Sequence, residues 1–500
     1  MGNVFVGVDI GSSGVRAVLF NPGGEQVFMA CQEYPIASPK QGWAELDPEK
    51  VFSGTVAAVR QCAVHAAEQG LEISGMGMSC QMHSLLAVNR QGIPITGAML
   101  WADTRGVEEA AFIQKNYDTE SLYYSTGCRL DHPMYPVSKI LWLKNKMPGT
   151  FKDAARFITL NEYIIFKLFG EYLVDYSLAG CQGLFNVRTL KWEESVTRDI
   201  LKISIDQLSQ PVECTTALRG MRPAYAQEMG VSPGIPFVVG GGDGVLASLG
   251  CGVFDVNAFS SGIGTSGAIR TTGSSPLLSA GRRTWCYPFI RGLWVSGGAI
   301  NNGGLVLRWL RSTFNQEFSS EAQKLGCSIY QLFDRFANEL SPGSDGLIFL
   351  PYLTGERCPD WNASARGIMF GLSMAHGKKH IVRASMEGIL YRLYSVYEAL
   401  KVLNPRSTEI VASGGYTKSK IWLKMQADLF NKAVKVSPVT ETSALGAAYL
   451  AMLAVGAVDR LGTPLPAMKP VRTIVPEAGA HEAYQKLYTQ AMNIYGKLYG

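Results

Sequence analysis

The stretch Val4-Phe5-Val6-Gly7-Val8-Asp9-Ile10-Gly11-Ser12-Ser13-Gly14-Val15-Arg16-Ala17-Val18-Leu19-Phe20 decides the fold. An apolar, β-branched run ends in an aspartate, a Gly/Ser cluster follows, and a second apolar run begins. That order predicts a β-hairpin with a glycine-rich turn. The turn around Gly11, Ser12 and Ser13 carries backbone N–H groups, two hydroxyls, the Asp9 carboxylate and the Arg16 guanidinium. Those are the parts that hold a phosphate and its metal. A plain hairpin with small residues at its tip accounts for the same pattern, so the remainder of the chain has to decide.

Five hundred residues exceed a single core and predict two or more domains. At 47% hydrophobic and 17% charged residues the chain can bury large cores, and a net charge of +5 argues against a dedicated nucleic-acid binder. The ten cysteines include no CxxC pair, which fits a reduced, cytoplasmic protein. The opening enters a strand at once, with no basic stretch ahead of an apolar one, so no secretory leader is expected. The longest uncharged run, Ser443 to Val458, is short for a membrane span and reads as a buried helix.

Working outward, Glu25 to Tyr34 predicts a third strand, and Pro48 marks the start of a helix reaching about Gln69. Ile73 to Cys80 reads as a buried strand with Gln81-Met82-His83-Ser84 at its end. Trp101-Ala102-Asp103-Thr104-Arg105 marks another such end. Strand ends are where open α/β sheets place ligands. Phe237 to Gly244 is an apolar strand running into three glycines and Asp243, with a helix beyond. Asn257 to Arg270 then echoes the opening stretch, with Gly262-Ile263-Gly264-Thr265-Ser266-Gly267 as a second Gly/hydroxyl turn. A boundary just before this echo divides the chain into residues 1–252 and 253–500. Two similar α/β domains, facing each other across a cleft with nucleotide between them, follow from the repeat.

Several groups can carry chemistry. A carboxylate beside a phosphate repels it unless a cation intervenes, so Asp9 predicts Mg²⁺; turn capping is its other reading. Ser12, Ser13 and Arg16 offer donors to phosphates, and Thr265 with Ser266 forms the opposing jaw. Asp243 suits a general base that accepts a proton from an alcohol as phosphoryl transfer begins, or an N-cap for the next helix. His83, Trp101, Asp103 and Arg105 supply the paired donors, acceptors and aromatic wall that a polyol needs. The Trp-x-Asp-x-Arg spacing puts the three on one face of a strand, or on one turn. Gly414 and Gly415 let adenine and ribose lie against backbone, with Ser419 in hydrogen-bonding reach. His376 and His380 have helical i, i+4 spacing, but the lysines between them favour a solvated helix start over zinc. The chain has no GxxxxGK[ST] and no GxGxxG, so P-loop and Rossmann readings fail.

Taken together, these motifs resemble the FGGY carbohydrate kinases, built on the actin-like (ribonuclease H-like) ATPase fold shared with hexokinases. The match includes Val8 to Ser13, Gln81-Met82-His83, Trp101 to Arg105, Gly242-Asp243-Gly244, Gly264 to Gly267, and a C-terminal signature from Gly367-Ile368-Met369-Phe370-Gly371-Leu372 to His380 through Glu387. The resemblance implies ATP and Mg²⁺, Asp243 as catalytic base and Asp9 as the metal-side carboxylate. It implies phosphate contacts from Ser12, Ser13, Arg16, Gly264 and Thr265, and nucleotide contacts from Gly304, Arg308, Gly415 and Ser419. Some relatives carry Gln in place of Arg308 and Asn in place of Ser419.

Within the family, Asp131 to Lys139, Tyr172 to Ser177, Ile263 to Thr271, Asn301 to Trp309 and Gly343 to Arg357 resemble the gluconate kinases. Glycerol kinases typically place Arg-Glu where Met82-His83 stand and an aromatic where Met134 stands, whereas xylulokinases share Gln-Met-His. The implied reaction is ATP-dependent phosphorylation of a sugar acid at its terminal hydroxyl, with a pentulose or polyol as the alternative. A substrate carboxylate then needs a cationic or donor group far from Asp243, and Arg105, His132 and Lys139 are the candidates. A silent sugar- and ATP-binding regulator on the same fold is the reading from another class. Neither a nucleic-acid nor a membrane partner is expected, and a homodimer is an allowed assembly.

Overall fold

The computed structural model describes residues 2–499. The opening stretch forms the strands Gly2–Ile10 and Gly14–Phe20, paired antiparallel with Asp9 opposite Arg16 and Ile10 opposite Val15. A third strand, Gln26–Glu33, continues the meander. On its other side Gly2–Ile10 runs parallel to Leu71–Cys80, which in turn runs parallel to Phe237–Gly242. Parallel neighbours need a crossover. The first connection includes the helix Pro48–Glu68, which starts where Pro48 fixes the first turn and the Asp47 side chain accepts the N–H groups of Glu49 and Lys50.

The second sheet repeats this plan. Its central strand Ala258–Ile263 pairs antiparallel with Gly267–Gly273 and parallel with Glu409–Ser413. Leu293–Ile300 and Trp285–Ile290 extend the antiparallel side, and Ala433–Val436 extends the parallel side. Each sheet thus has a turn of glycines and hydroxyls joining its central strand to an antiparallel neighbour, as the echo at Gly262–Gly267 predicts.

One helix crosses between the two halves. Thr442–Ala454 is apolar on all sides and lies along the first sheet, although in sequence it falls between two strands of the second, Ala433–Val436 and Arg472–Ile474. The approach is set by glycines. A Cβ on Gly7 would stand 1.9 Å from the carbonyl oxygen of Ala444, one on Gly77 2.1 Å from that of Ala447, and one on Gly250 1.9 Å from that of Thr442. Backbone cannot yield as a side chain can, so Gly77→Ala should destabilise the protein by about 1–3 kcal/mol or more. Gly496→Ala, in the exposed terminal helix with open space at its Cβ position, should be neutral or slightly stabilising. Denaturant midpoints of the two variants test this.

The described residues contain no helix long and apolar enough to cross a membrane. His376 precedes the helix Lys378–Lys401 and does not share its periodicity, and its Nδ1 accepts the Ser373 N–H at 2.9 Å. The helical reading at that pair therefore holds only for His380, which is buried with Nε2 3.2 Å from Asp345 Oδ2.

Candidate active site

At the opening turn the Gly11 N–H bonds the Gly14 carbonyl at 3.0 Å, and the Gly11 carbonyl accepts from the Tyr34 hydroxyl at 2.7 Å. The hydroxyls of Ser12 and Ser13 take no protein partner among the described residues, so both are free to meet a ligand. Asp9 sits one strand residue before the turn. Its Oδ1 accepts from the Ser79 hydroxyl at 2.8 Å, and Arg16 stands 3.8 Å from both Asp9 and Glu441. Burial, followed by the neighbouring charge of Asp243, pushes the Asp9 carboxyl up to about 7.

The second turn rests on the N-terminus of the helix Gly304–Thr313. The N–H groups of Gly304 and Leu305 bond the carbonyls of Gly264 and Thr265 at 2.8 and 3.1 Å. A Cβ at Gly303 would fall 2.5 Å from the backbone of Ser266, so only glycine allows the helix this close. Arg308 reaches back one turn, donating from Nη2 to Thr265 Oγ1 at 2.9 Å. Beside this turn opens a cavity of about 770 Å³ that brings together Gly264, Thr265, Gly304, Arg308, Gly415 and Ser419. Tyr330, Phe333 and Trp422 give it aromatic walls, as a purine base requires. Gly414, which precedes the lining residue Gly415 and is not itself among the residues lining the cavity, adopts φ 91°. The Ser419 hydroxyl is engaged by Asp334 at 2.6 Å and caps the helix Lys420–Phe430 at the Trp422 N–H.

Between the turns, Asp243 begins the buried helix Asp243–Gly250. Its Oδ1 accepts the Gly244 N–H at 2.6 Å, leaving Oδ2 without a protein donor. Burial raises its pKa, opposed first by Arg270 and then by the Gly244 N–H and Arg357. Met82 and Arg270 flank it. A Cβ on Gly242 would meet the Met82 side chain at 2.8 Å, and one on Gly244 would meet Met82 Cε at 2.9 Å and two Arg270 nitrogens at 3.1 Å. The Arg270 Nε is buried with no hydrogen-bond acceptor.

On the far side of Asp243, Gln81 bridges the two regions. Its Nε2 donates to the Gly11 carbonyl at 3.4 Å, and its Oε1 is buried without a partner. His83 holds φ 66°, rare for a residue with a side chain and a mark of local strain. Its Nε2 lies 3.1 Å from the Tyr287 hydroxyl, which comes from the second half of the chain. Burial and the Lys139 charge keep this imidazole neutral. His132 Nδ1 accepts the Met134 N–H at 3.2 Å, which leaves Nε2–H as a donor, and the ring packs edge-on against Trp361 at 5.1 Å.

Two of the cations singled out in the sequence are committed elsewhere. The strand before Trp101 ends at Met99, so residues 101–105 form a turn, with Trp101 turned outward (37% exposed) and Asp103 fully buried. Arg105 spends Nε and Nη2 on Asp103, at 2.8 and 2.7 Å, and Nη2 also meets Glu45 at 2.6 Å, while its guanidinium lies 3.7 Å over the Trp43 ring. Lys139 is completely buried, and its ammonium donates to the carbonyls of Leu100, Met134 and His83 at 2.6, 3.0 and 3.1 Å. All three of its protons are thereby used.

The structure adds residues that the motif reading passed over. Arg357 donates from Nε to Asn301 Oδ1 at 2.6 Å, contacts Met134 Sδ at 3.7 Å, and lies 5.0 Å over the Trp101 ring. Arg270 and Arg357 were within reach of the sequence: each is the only cation in its stretch, Ile263 to Thr271 and Gly343 to Arg357.

This chain matches the N-terminal domain model of the FGGY family of carbohydrate kinases over residues 4–250 and the C-terminal domain model over residues 260–455. It belongs to that family and carries its two-domain, actin-like ATPase fold. It is 38% identical over 460 residues to a gluconokinase of Bacillus subtilis (strain 168), covering 92% of this chain and 89% of that one. Among solved structures, a ligand-bound xylulose kinase from Lactobacillus acidophilus superposes with a TM-score of 0.93 at 31% identity, covering 99% of this chain and 98% of that one. A gluconate kinase from the same organism gives 0.91 at 31% identity, covering 100% and 98%. The protein is therefore a carbohydrate kinase that uses ATP with Mg²⁺.

The residues present fit that metal. Among the described residues no cluster of three or more His, Cys, Asp or Glu side chains holds an ion alone. Mg²⁺ is commonly bound by one or two carboxylates together with substrate phosphates. Asp9, destabilised by burial and by Asp243, is the carboxylate that a cation would relieve.

Proposed function

We propose that this kinase phosphorylates the C6 hydroxyl of D-gluconate, giving 6-phosphogluconate and ADP. The observation that carries this reading is the charge around the base. Arg270 and Arg357 both bear on Asp243, and with Asp9 given to the metal two cations stand against one carboxylate, in a site otherwise lined by neutral histidines, Met82 and Trp101. Such a surplus favours an anionic substrate. The similarity to the Bacillus subtilis gluconokinase supports it as well.

In this reading Asp243 Oδ2 accepts the proton of the C6 hydroxyl as the oxygen attacks the γ-phosphorus and the bond to the β-phosphate oxygen breaks. Ser12, Ser13 and Arg16 hold phosphate oxygens from the first half of the chain, and Gly264 and Thr265 hold them from the second. Arg270 neutralises charge at the reacting end. Asp9 would hold Mg²⁺, which screens the charge of the transferring phosphoryl group. Gly304, Arg308, Gly415 and Ser419 line the adenosine side, with Gly414 setting the turn that leads into it. The halves 1–252 and 253–500 act as two lobes whose closure excludes water.

A coupled ADP-release assay over gluconate, xylulose, ribulose and glycerol tests the substrate, with the highest kcat/KM expected for gluconate. A higher value for xylulose would move the assignment to a pentulose kinase, a reading that the similarity to the Lactobacillus acidophilus xylulose kinase favours. Sugar binding without ADP release would instead mark a silent regulator.

A further inference from the structure

We infer that Arg357 is the residue that binds the substrate carboxylate, with the Trp361 indole N–H as its second donor. This rests on the gluconate reading. A sugar acid phosphorylated at C6 presents its carboxylate at the opposite end of its carbon chain, so the anion site must lie across the sugar pocket from Asp243. The basic side chains near that end can be taken in turn. Lys139 has spent every proton on carbonyls, and Arg105 is held by Asp103 and Glu45. Arg129 is paired with Asp131 at 2.6 and 3.0 Å, and Arg282 donates to Thr119 and to Asp131. Arg270 belongs to the reacting end, beside Gly244.

Arg357 differs from the paired arginines in making no ion pair among the described residues, and from Arg270, which also lacks one, in not standing against Gly244. Its Nε is fixed by Asn301, and its own backbone N–H bonds Glu356 Oε1 at 2.9 Å. Glu356 Oε1 also accepts the Asn301 N–H at 2.5 Å, so the arginine and the residue that orients it hang from one buried carboxylate. The one further acceptor its guanidinium meets is the Met134 thioether sulfur, at 3.7 Å, which is a weak acceptor. Nη2 takes no protein acceptor. The half-buried guanidinium therefore stands against Trp101 and Met134 with donors to spare, pre-oriented but electrically unpaired. A carboxylate bound through two N–H groups is the partner that its geometry suits.

Trp361 is tied to the same turn, its N–H bonding the Arg357 carbonyl at 2.6 Å. It holds φ 54°, and its indole Nε1 is buried without an acceptor. An unsatisfied buried donor in a strained residue beside an unpaired arginine is a feature that a ligand oxygen would resolve.

The test compares D-gluconate with D-glucitol, the same carbon chain with the carboxylate replaced by a CH₂OH group. Wild-type kcat/KM should favour gluconate strongly. Arg357→Gln should lower kcat/KM for gluconate about 100-fold or more, chiefly through KM, and collapse the gluconate-to-glucitol ratio. Arg357→Lys should recover part of that ratio, and Trp361→Phe, which keeps a ring but not the N–H, should lower it by about tenfold. Calorimetric binding of gluconate without nucleotide should weaken in parallel. If the wild type prefers gluconate and Arg357→Gln keeps the wild-type ratio, or loses both substrates equally, the subsite assignment is wrong while the substrate reading stands. If the wild type does not prefer gluconate to glucitol and xylulose, both fall. Should Arg357→Gln fail to fold, the ratios of the Lys and Phe variants decide by the same criterion.

Discussion

Asp243→Asn should leave a folded protein whose kcat is about 10²–10⁴-fold below wild type, with KM for ATP and for the sugar little changed. The substitution is isosteric. An asparagine Oδ1 still accepts the Gly244 N–H that Oδ1 of Asp243 takes at 2.6 Å, so the helix start and its contacts with Met82 and Arg270 persist. What is lost is the free Oδ2 as a proton acceptor. The pH profile supplies a second readout. Burial raises the Asp243 pKa above its ordinary 3.8 despite Arg270. The base is active only when deprotonated, so wild-type kcat/KM should fall on the acid side with an apparent pKa above the usual aspartate range, and the variant should lack that limb. Steady-state kinetics between pH 4 and 8 at saturating Mg²⁺, set beside a thermal melt, would check both. Wild-type turnover by Asp243→Asn would refute the general-base assignment.

Much of this site was legible because its chemistry is local. The opening turn, its echo at Gly262–Gly267 and the strand that ends in Gly-Gly-Gly-Asp243 each announce themselves by composition, and the fold sets the two turns at corresponding places in two sheets of one plan, with the Asp243 strand in the first sheet. The cavity beside the second turn gathers Gly264, Gly304, Gly415 and Ser419 for the same reason, since each follows a strand end or opens a helix, with Arg308 one turn further along the helix Gly304–Thr313. Other features depend on what a side chain touches from far along the chain. The helix Thr442–Ala454 is apolar on every face, which reveals burial but not against which sheet, and the glycines that receive it lie more than 190 residues away or at positions 7 and 77. The Trp101, Asp103 and Arg105 side chains would share a face on a strand. Because the strand stops at Met99, the turn sends Asp103 into the core as the partner of Arg105. Arg357 carries no motif of its own. Its being the only cation between Gly343 and Arg357 marks it in the sequence, but its role shows only once Arg105, Arg129, Arg282 and Lys139 are found to be committed elsewhere.

Lys139 offers the sharpest contrast between a residue that looks like a ligand and one that builds the frame, and Lys139→Met should show it. Its ammonium is the one group that satisfies the carbonyls of Leu100, Met134 and His83 together, tying the Trp101 turn, the segment holding His132 and the strained His83 to one point. Methionine matches the aliphatic stem but takes that donor from the buried carbonyls of His83 and Met134, at about 1–3 kcal/mol each before water or relaxation recovers part of it, while Leu100 keeps only the Asp103 N–H at 3.1 Å. A loss of about 3–5 kcal/mol in unfolding free energy is expected at pH 7 and below, where the ammonium form is present. The pH dependence separates this from simple misfit. Burial lowers the Lys139 pKa from 10.5 to about 7, against the opposing pull of Asp103. Between those values the unfolded chain binds a proton that the folded one has released, so this residue makes wild-type stability rise with pH from about 7 to 10.5, by up to about 1.4 kcal/mol per pH unit. The contribution is fully present above 10.5 and lost as pH falls through 7. Lys139→Met should remove that slope, so the stability gap between variant and wild type should widen as the pH is raised across the window. Denaturant unfolding of both proteins at pH 7, 8.5 and 10 measures it. A gap that stays constant with pH would show that Lys139 is not held with a lowered pKa, and a variant as stable as wild type would show that the three carbonyls find other donors.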